Sequence, residues 1–314
     1  MEEWIKKYID YLFPVDNRLI KISAANSLKA KHTPNKLFKY RGVSNQYSFD
    51  NFNQDCLSLS EASKLNDPFE CALSAVSKQF FFSQLRNAFL TTMIGNDGFS
   101  ANELTKMKSC SESEFYEIIE NRSELFSKLP RGTLKRVSDS FIDDFCNATN
   151  DKLCEKNLSN IYICALSETN NSPAMWAHYA EEFRGFCIEY DFSKILGKPI
   201  WCSLNPVIYT DSIPDFSEYF GKSDCFNNLI SIYAAMIKAE DWSYEREWRL
   251  IIPLGKQPDS YFLVNAPKPS AIYLGCRISK EDEDKLVQIA RNKDIKVFKM
   301  VRPSSTFEVK FKEI

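Results

Sequence analysis

Hydrophobic and polar positions along this chain follow two different periods, and the changes of period divide it. Trp4, Ile5, Tyr8, Ile9 and Leu12 fall on one face of a helix. A second helical stretch runs from about Asn17 to Lys31, until Pro34 breaks the pattern. Lys36 to Arg41 and Cys56 to Ser60 alternate with period two and predict strands, and the polar, aromatic segment between them suits a short helix. From about 77 to 156 the period is helical. Ser111 and Glu114 form a capping box, Phe115, Ile118, Ile119 and Leu125 follow at helical spacing, and after Pro130 and Gly132 another amphipathic stretch runs to about Leu153. Strands are predicted again at 160–167, 184–190, 207–209, 248–253, 271–275 and 296–300, with helices at 173–179, 227–239 and 280–292. The pattern describes a single α+β domain over 1–314. An N-terminal helical pair (1–33) precedes an α+β core of catalytic type (34–76 and 157–314), which a helical insertion (77–156) interrupts.

Composition narrows the functional classes. With 44% hydrophobic and 26% charged residues in 314, the chain is an ordinary globular protein. Forty basic residues against 42 acidic ones give a net charge of −2, which excludes a generally basic nucleic-acid-binding surface but leaves a local basic cleft open. Only nine glycines are present, and neither G-x-G-x-x-G nor G-x-x-x-x-G-K occurs, so a bound nucleotide must be held by another route. The ten cysteines form no C-x-x-C and have only two histidines to help them, which argues against a zinc site. The start is acidic, without the layout of a signal peptide, and no apolar run approaches the roughly 20 residues needed to span a bilayer. A reducing, cytoplasmic setting without a membrane partner is expected.

Three segments carry candidate chemistry. In Trp242-Ser-Tyr-Glu-Arg-Glu-Trp-Arg249, Glu245 and Glu247 are two apart, so an extended backbone points both carboxylates to one face. One can take a proton from a nucleophile while the other holds a substrate hydroxyl; the structural reading is a charge pair from Glu247 to Arg249 or Arg246. In Asn66-Asp-Pro-Phe-Glu70, Asp67 and Glu70 suit a well-made turn, or a metal site together with Glu189 and Asp191. Pro173-Ala-Met-Trp-Ala-His-Tyr-Ala180 places Trp176, His178 and Tyr179 on a short helix, either as core residues or as one wall of a pocket for a flat ring.

Taken in order, Lys39-Tyr40-Arg41, Asn66-Asp-Pro-Phe-Glu70, Cys164-Ala-Leu-Ser-Glu168, Met175-Trp-Ala-His-Tyr179, Gly185-Phe-Cys-Ile-Glu-Tyr-Asp191 and Trp242-x-Tyr-Glu-x-Glu-Trp-Arg249 closely resemble a large bacterial family, the two-nine-seven-one family of domains of unknown function. The resemblance spans about Leu37 to Leu254, and some relatives look like abortive-infection, anti-phage proteins. A more distant resemblance is to ADP-ribosyltransferases of the Arg-Ser-Glu class, whose split β-sandwich binds NAD without a Rossmann glycine loop. That class carries an Arg on its first core strand, a Ser-x-Ser on the second and a (Gln/Glu)-x-Glu at a later one; this chain offers Arg41, Ser58-Leu-Ser60 and Glu245-Arg-Glu247. Leu59 stands where the class usually has Thr, and the long insertion is unusual for it.

The resemblance implies an ADP-ribosyltransferase-like split β-sandwich core and NAD as substrate. Arg41 would bind the NAD phosphates or nicotinamide ribose, and Ser58 or Ser60 would brace the nicotinamide pocket. Glu247 would hold the ribose hydroxyl and stabilise the oxocarbenium-like centre, and Glu245 would orient or deprotonate the acceptor. Tyr40, Trp176, His178 and Tyr179 are candidates for stacking on nicotinamide or adenine. The implied product is a mono-ADP-ribosylated macromolecule, nucleic acid or protein, made by a bacterial toxin or anti-phage effector with an antitoxin or regulatory protein as a further partner. Two alternatives stay open: a non-enzymatic defence or antitoxin-type module with a degenerate pocket, and a metal-dependent nuclease.

Overall fold

The structure is a computed structural model, and it describes residues 1–72, 74–93, 99–122, 128–220, 225, 227–255, 257, 259, 261–303, 305–306 and 308–314. Leu125 of the amphipathic stretch lies outside the described residues. Helices α1 (Glu3–Leu12) and α2 (Ile22–His32) form the N-terminal pair, with Ile5 and Tyr8 buried on the predicted face of α1. The second helix starts later than its sequence pattern because Asp16 accepts the Arg18 N–H and closes a separate 3-10 turn at Asn17–Leu19, after which Ile20 is extended. Strand β1 (Lys36–Arg41), α3 (Gln46–Asn53) and β2 (Cys56–Glu61) follow. The insertion contains α4 (Lys78–Met93), α5 (Ala101–Ser109), α6 (Glu112–Arg122) and α7 (Thr133–Leu158). Capping boxes start α5 at Ser100/Glu103 and α6 at Ser111/Glu114.

The remainder alternates strands and helices: β3 (Ile161–Ser167), α8 (Pro173–Tyr179), β4 (Phe186–Asp191), α9 (Pro199–Cys202), β5 (Leu204–Pro206), β6 (Ile208–Thr210), α10 (Ser217–Phe220), α11 (Ile230–Met236), β7 (Ile237–Ala239), β8 (Glu247–Pro253), β9 (Tyr261–Asn265), β10 (Pro269–Leu274), α12 (Lys280–Lys293), β11 (Lys296–Val301) and β12 (Lys310–Glu313). The class is α+β. The helix expected over 227–239 is two elements. It stops at Met236, and from Ile237 the chain extends to pair in parallel with β6, which positions Lys238. The strand expected at 207–209 is interrupted: Pro206 ends β5, Val207 donates its N–H to the Glu247 carbonyl, and β6 begins at Ile208. Strands β9 and β12 had no clear signal. β9 is an apolar run without alternation, mostly exposed at the edge of the sheet, and β12 is a short charged edge strand.

Contacts divide the chain into two compact units. The helical one comprises Leu73–Glu155 together with Pro214–Phe226. Its core is aromatic, with Phe82, Phe115, Tyr116, Leu90 and Met107 packed together. The other comprises Met1–Ala72, Lys156–Ile213 and Asn227–Ile314, and holds the sheet in the order β12-β11-β10-β4-β1-β3-β2-β9. Alternation along β1 and β4 buries both faces. One face sets Leu37, Phe186 and Ile188 against Phe49 and Phe52 of α3 and Leu286 and Ala290 of α12. The other sets Phe38, Tyr40 and Cys187 against Met175 and Trp176 of α8.

The register makes the sheet fork at β3. One edge of β3 pairs with β8 along its whole length, from Ile161↔Pro253 to Ser167↔Glu247. The other edge is shared: β2 meets it at Ser60↔Ile163 and Glu61↔Tyr162, and β1 meets it only at Phe38↔Ser167. Between these points β1 and β2 part. No helix among the described residues is long and apolar enough to cross a membrane.

Candidate functional site

The opening in the fork is a cavity of about 170 Å³. Four successive residues of β1, Phe38 to Arg41, line it, because it lies at the edge of that strand rather than over one face. Ser58 and Ser60 come from β2, Ile163 to Ser167 in part from β3, Met175 and Tyr179 from α8, and Glu247 and Arg249 from β8. Asp67 and Glu70 reach it from the loop after β2, and Lys238 from β7. In the gap the Lys39 ammonium donates to the Ala165 carbonyl (2.8 Å), and Arg41 Nη2 donates to Ser58 Oγ (3.1 Å). Burial pushes the Lys39 ammonium below its ordinary value, and the neighbouring Arg41 charge pushes the same way.

The floor is a buried charge cluster of three carboxylates and two cations. Lys238 Nζ donates to Glu245 Oε2 (2.6 Å) and Glu247 Oε2 (2.8 Å) and lies 3.4 Å from Glu70. Arg249 Nε donates to Glu247 Oε1 (2.8 Å), Nη2 to Glu70 Oε1 (2.8 Å) and Nη1 to the Ala235 carbonyl (2.7 Å). The Tyr179 hydroxyl donates to the remaining oxygen of Glu245 (2.6 Å). Glu245 and Glu247 converge, though not through the extended backbone the spacing suggested. Glu245 ends a 3-10 turn and Arg246 is left-handed (φ 47°), so it is Lys238 that draws the two carboxylates together.

Environment drives the two glutamates apart. Burial alone raises the Glu247 carboxyl, but Arg249 and Lys238 outweigh it and bring it down to about 2. Glu245 is raised, by burial first and the Glu247 charge second, against the pull of Lys238. Glu247 is therefore held as an anion more firmly than Glu245, so the two carboxyls of the cluster differ in how readily they take a proton. Two carboxylate oxygens on the cavity wall lack a hydrogen-bond donor. Asp67 gives one oxygen to the Phe69 N–H while its Oδ2 is buried without a partner. Glu70 Oε2 sits 2.7 Å from Arg249 Nη1 in an ion pair whose geometry makes no hydrogen bond. Glu70 Oε2 is thus compensated by the Arg249 charge, and Asp67 Oδ2 is the buried acceptor on the wall without a protein donor.

Tyr40, Arg41, Ser58, Ser60, Tyr179, Glu245 and Glu247 thus surround one cavity. Trp176 and His178 do not. Met175 and Tyr179 are four apart on α8 and share the face turned to the cavity, and the other two lie off that face. Trp176 is fully buried, its indole N–H donating to the Asn170 carbonyl (2.6 Å), and His178 is exposed. Tyr40 lines the cavity, but its hydroxyl is bonded to Thr169 and its ring is set edge-on to Trp176, so it forms wall rather than a stacking platform. The metal set is not assembled. Asp67 and Glu70 meet at the cavity, whereas Glu189 is bonded to Ser270 and Tyr273 and paired with Lys36, and Asp191 is paired with Lys194. Among the described residues no group of three potential ligands is arranged to hold a metal. The expected charge pair from Glu247 to Arg249 is present; Arg41 is not part of it. The sequence reading missed Lys238, hidden in an expected helix, and Lys39, whose burial no local pattern signals.

Residues 175–250 match the model of a family described as "Protein of unknown function (DUF2971)". No curated protein and no solved structure matches the chain. That segment, which supplies Tyr179, Lys238, Glu245, Glu247 and Arg249 to the cavity, is where the chain is similar to this family of proteins of unknown function.

Proposed function

We propose that the forked cavity binds NAD and that the protein transfers ADP-ribose to a macromolecular acceptor. One observation carries this reading. Arg41 and Ser58 and Ser60, from two successive strands, converge with Glu247, from a strand far later in the sequence, where the sheet splits. The Arg41 guanidinium suits a diphosphate, and the unpartnered Oδ2 of Asp67 suits a hydroxyl or amide donor of a nicotinamide riboside. In the reaction the bond between ribose C1′ and the nicotinamide nitrogen breaks, and its electron pair leaves with neutral nicotinamide. The ionised Glu247 stabilises the oxocarbenium-like centre left behind. The acceptor's lone pair then closes on C1′, and its proton passes to Glu245. A toxin or anti-phage role would follow from such chemistry on a nucleic-acid or protein target.

The engagement of Glu247 by both Arg249 and Lys238 favours a second reading, a module that binds the same ligand without reaction. Incubation with phosphate-labelled NAD and bacterial lysate separates the two. The transferase reading predicts nicotinamide release and label transfer, both lost in Glu247→Gln and Arg41→Ala variants that still fold. Binding of NAD with neither release nor transfer selects the module, and absence of binding removes NAD altogether.

A further inference from the structure

A second cavity, of about 420 Å³, shares Arg41, Ser58 and Ser60 with the first. Its other wall is the polar face of α3. Tyr47, Asn51 and Gln54 recur at helical spacing on that face, with Ser48 beside them, while Phe49 and Phe52 on the opposite face enter the core. Across from the helix, β9 pairs with β2 at Ser60↔Tyr261 and Ser58↔Leu263, which puts Tyr261 and Leu263 on the cavity side. Two features mark this as a built site. Asn51 is 8% exposed and Ser48 is 7% exposed, yet neither the Asn51 carboxamide nor the Ser48 hydroxyl has a hydrogen-bond partner among the described residues, and both residues line the cavity. Tyr47 (65% exposed) and Tyr261 (46% exposed) stand together at its mouth, ring centroids 6.3 Å apart and tilted by 40°.

We infer that this chamber binds the nucleobase of a nucleoside phosphate whose phosphates lie on Arg41. A carboxamide offers both donor and acceptor and so matches the edge of a base, and exposed tyrosine rings stack on its face. The first cavity is too small for a whole dinucleotide, since about 150 Å³ holds a single benzene. Neither Glu245 nor Glu247 lines the second chamber, so it holds the part of the ligand that does not react. The inference rests on reading the first cavity as a nucleotide site, but it requires no reaction there.

The test is calorimetric titration of the full chain with ADP, GDP, CDP and UDP, and with pyrophosphate as the control that lacks a base. At least one nucleoside diphosphate should bind more tightly than pyrophosphate. Tyr47→Ala and Tyr261→Ala should each weaken it about 5- to 150-fold, the range for one base–aromatic stack, while leaving pyrophosphate unchanged. Asn51→Leu, which keeps the volume, should weaken the preferred base most and flatten the preference. Equal binding of all five compounds, or tyrosine variants that bind like the native chain, would overturn the inference. Nucleoside diphosphate binding without NAD turnover leaves it standing and removes the transferase reading. NAD turnover whose KM ignores Tyr47 does the reverse.

Discussion

Replacing Arg249 with methionine removes the cation that holds the charge cluster together, at little change in volume. Arg249 is 1% exposed and touches Glu247 through Nε and Nη2 and Glu70 through Nη1 and Nη2. Without it, three buried carboxylates share Lys238 alone. Breaking a buried pair by deleting one partner costs about 3–5 kcal/mol. The Glu247 carboxyl gives a similar figure: the difference between its ordinary 4.5 and about 2 corresponds to about 3 kcal/mol. The sign follows from its lowered value. Its contribution is fully present above pH 4.5 and is lost as the pH falls from there to about 2. In Arg249→Met that dependence disappears, because Glu247 takes up a proton at higher pH. Urea denaturation should therefore show a loss of about 3–5 kcal/mol at pH 7 that narrows below pH 4.5. If the methionine variant does not fold, Arg249→Lys keeps one charge and should lose less, with the same pH trend. A loss below about 1 kcal/mol at pH 7, or a gap constant from pH 7 to pH 3, would refute the reasoning.

Three further outcomes are expected. Tyr179→Phe removes a donor to Glu245, worth about 1.5–3 kcal/mol for a charged acceptor, so the acid limb of the pH–rate profile of label transfer to the acceptor moves up by about one to two pH units; an unmoved limb would remove Glu245 from the proton transfer. Gly185→Ala sets a methyl 2.1 Å from the Arg41 carbonyl and 3.0 Å from Ala180, so calorimetry should show NAD binding weakened together with a lowered melting temperature, whereas native-like binding would mean that the backbone behind Arg41 tolerates displacement. Lys29→Met leaves the carbonyls of Trp201, Cys202 and Leu204 without the ammonium that donates to them at 2.7–3.2 Å; about 3 kcal/mol or more of stability is lost at pH 7, measured by urea titration.

How much of this was legible in the sequence follows the range of the interactions. Elements fixed by local period and capping stand close to where the pattern puts them: β1, β2, α8, α12 and the box at Ser111. Pairs two apart on strands, Ser58 with Ser60, keep their meaning because alternation is a local rule. The fork was not legible, since it depends on β1 and β2 meeting one edge of β3 at points that only long-range register sets. The same holds for Lys238. Ile230 to Ala239 reads as one helix until pairing with β6 pulls its end into a strand. Trp176 and His178 were drawn into the site by closeness in sequence to Tyr179, but His178, one residue away on the helix, faces solvent, and Trp176 is held in the core with its indole bonded to Asn170. The second chamber escaped because Asn51 and Ser48 are ordinary helix-surface residues until β9 lies across from them.

The central claim is that NAD lies in the fork, and a crystal structure with NAD bound tests it most directly. The account predicts the diphosphate on the Arg41 guanidinium and the nicotinamide ribose between Glu247 and the unpartnered Oδ2 of Asp67. The adenine should lie against Tyr47 and Tyr261. NAD bound elsewhere, or an empty fork at saturating NAD, would contradict it.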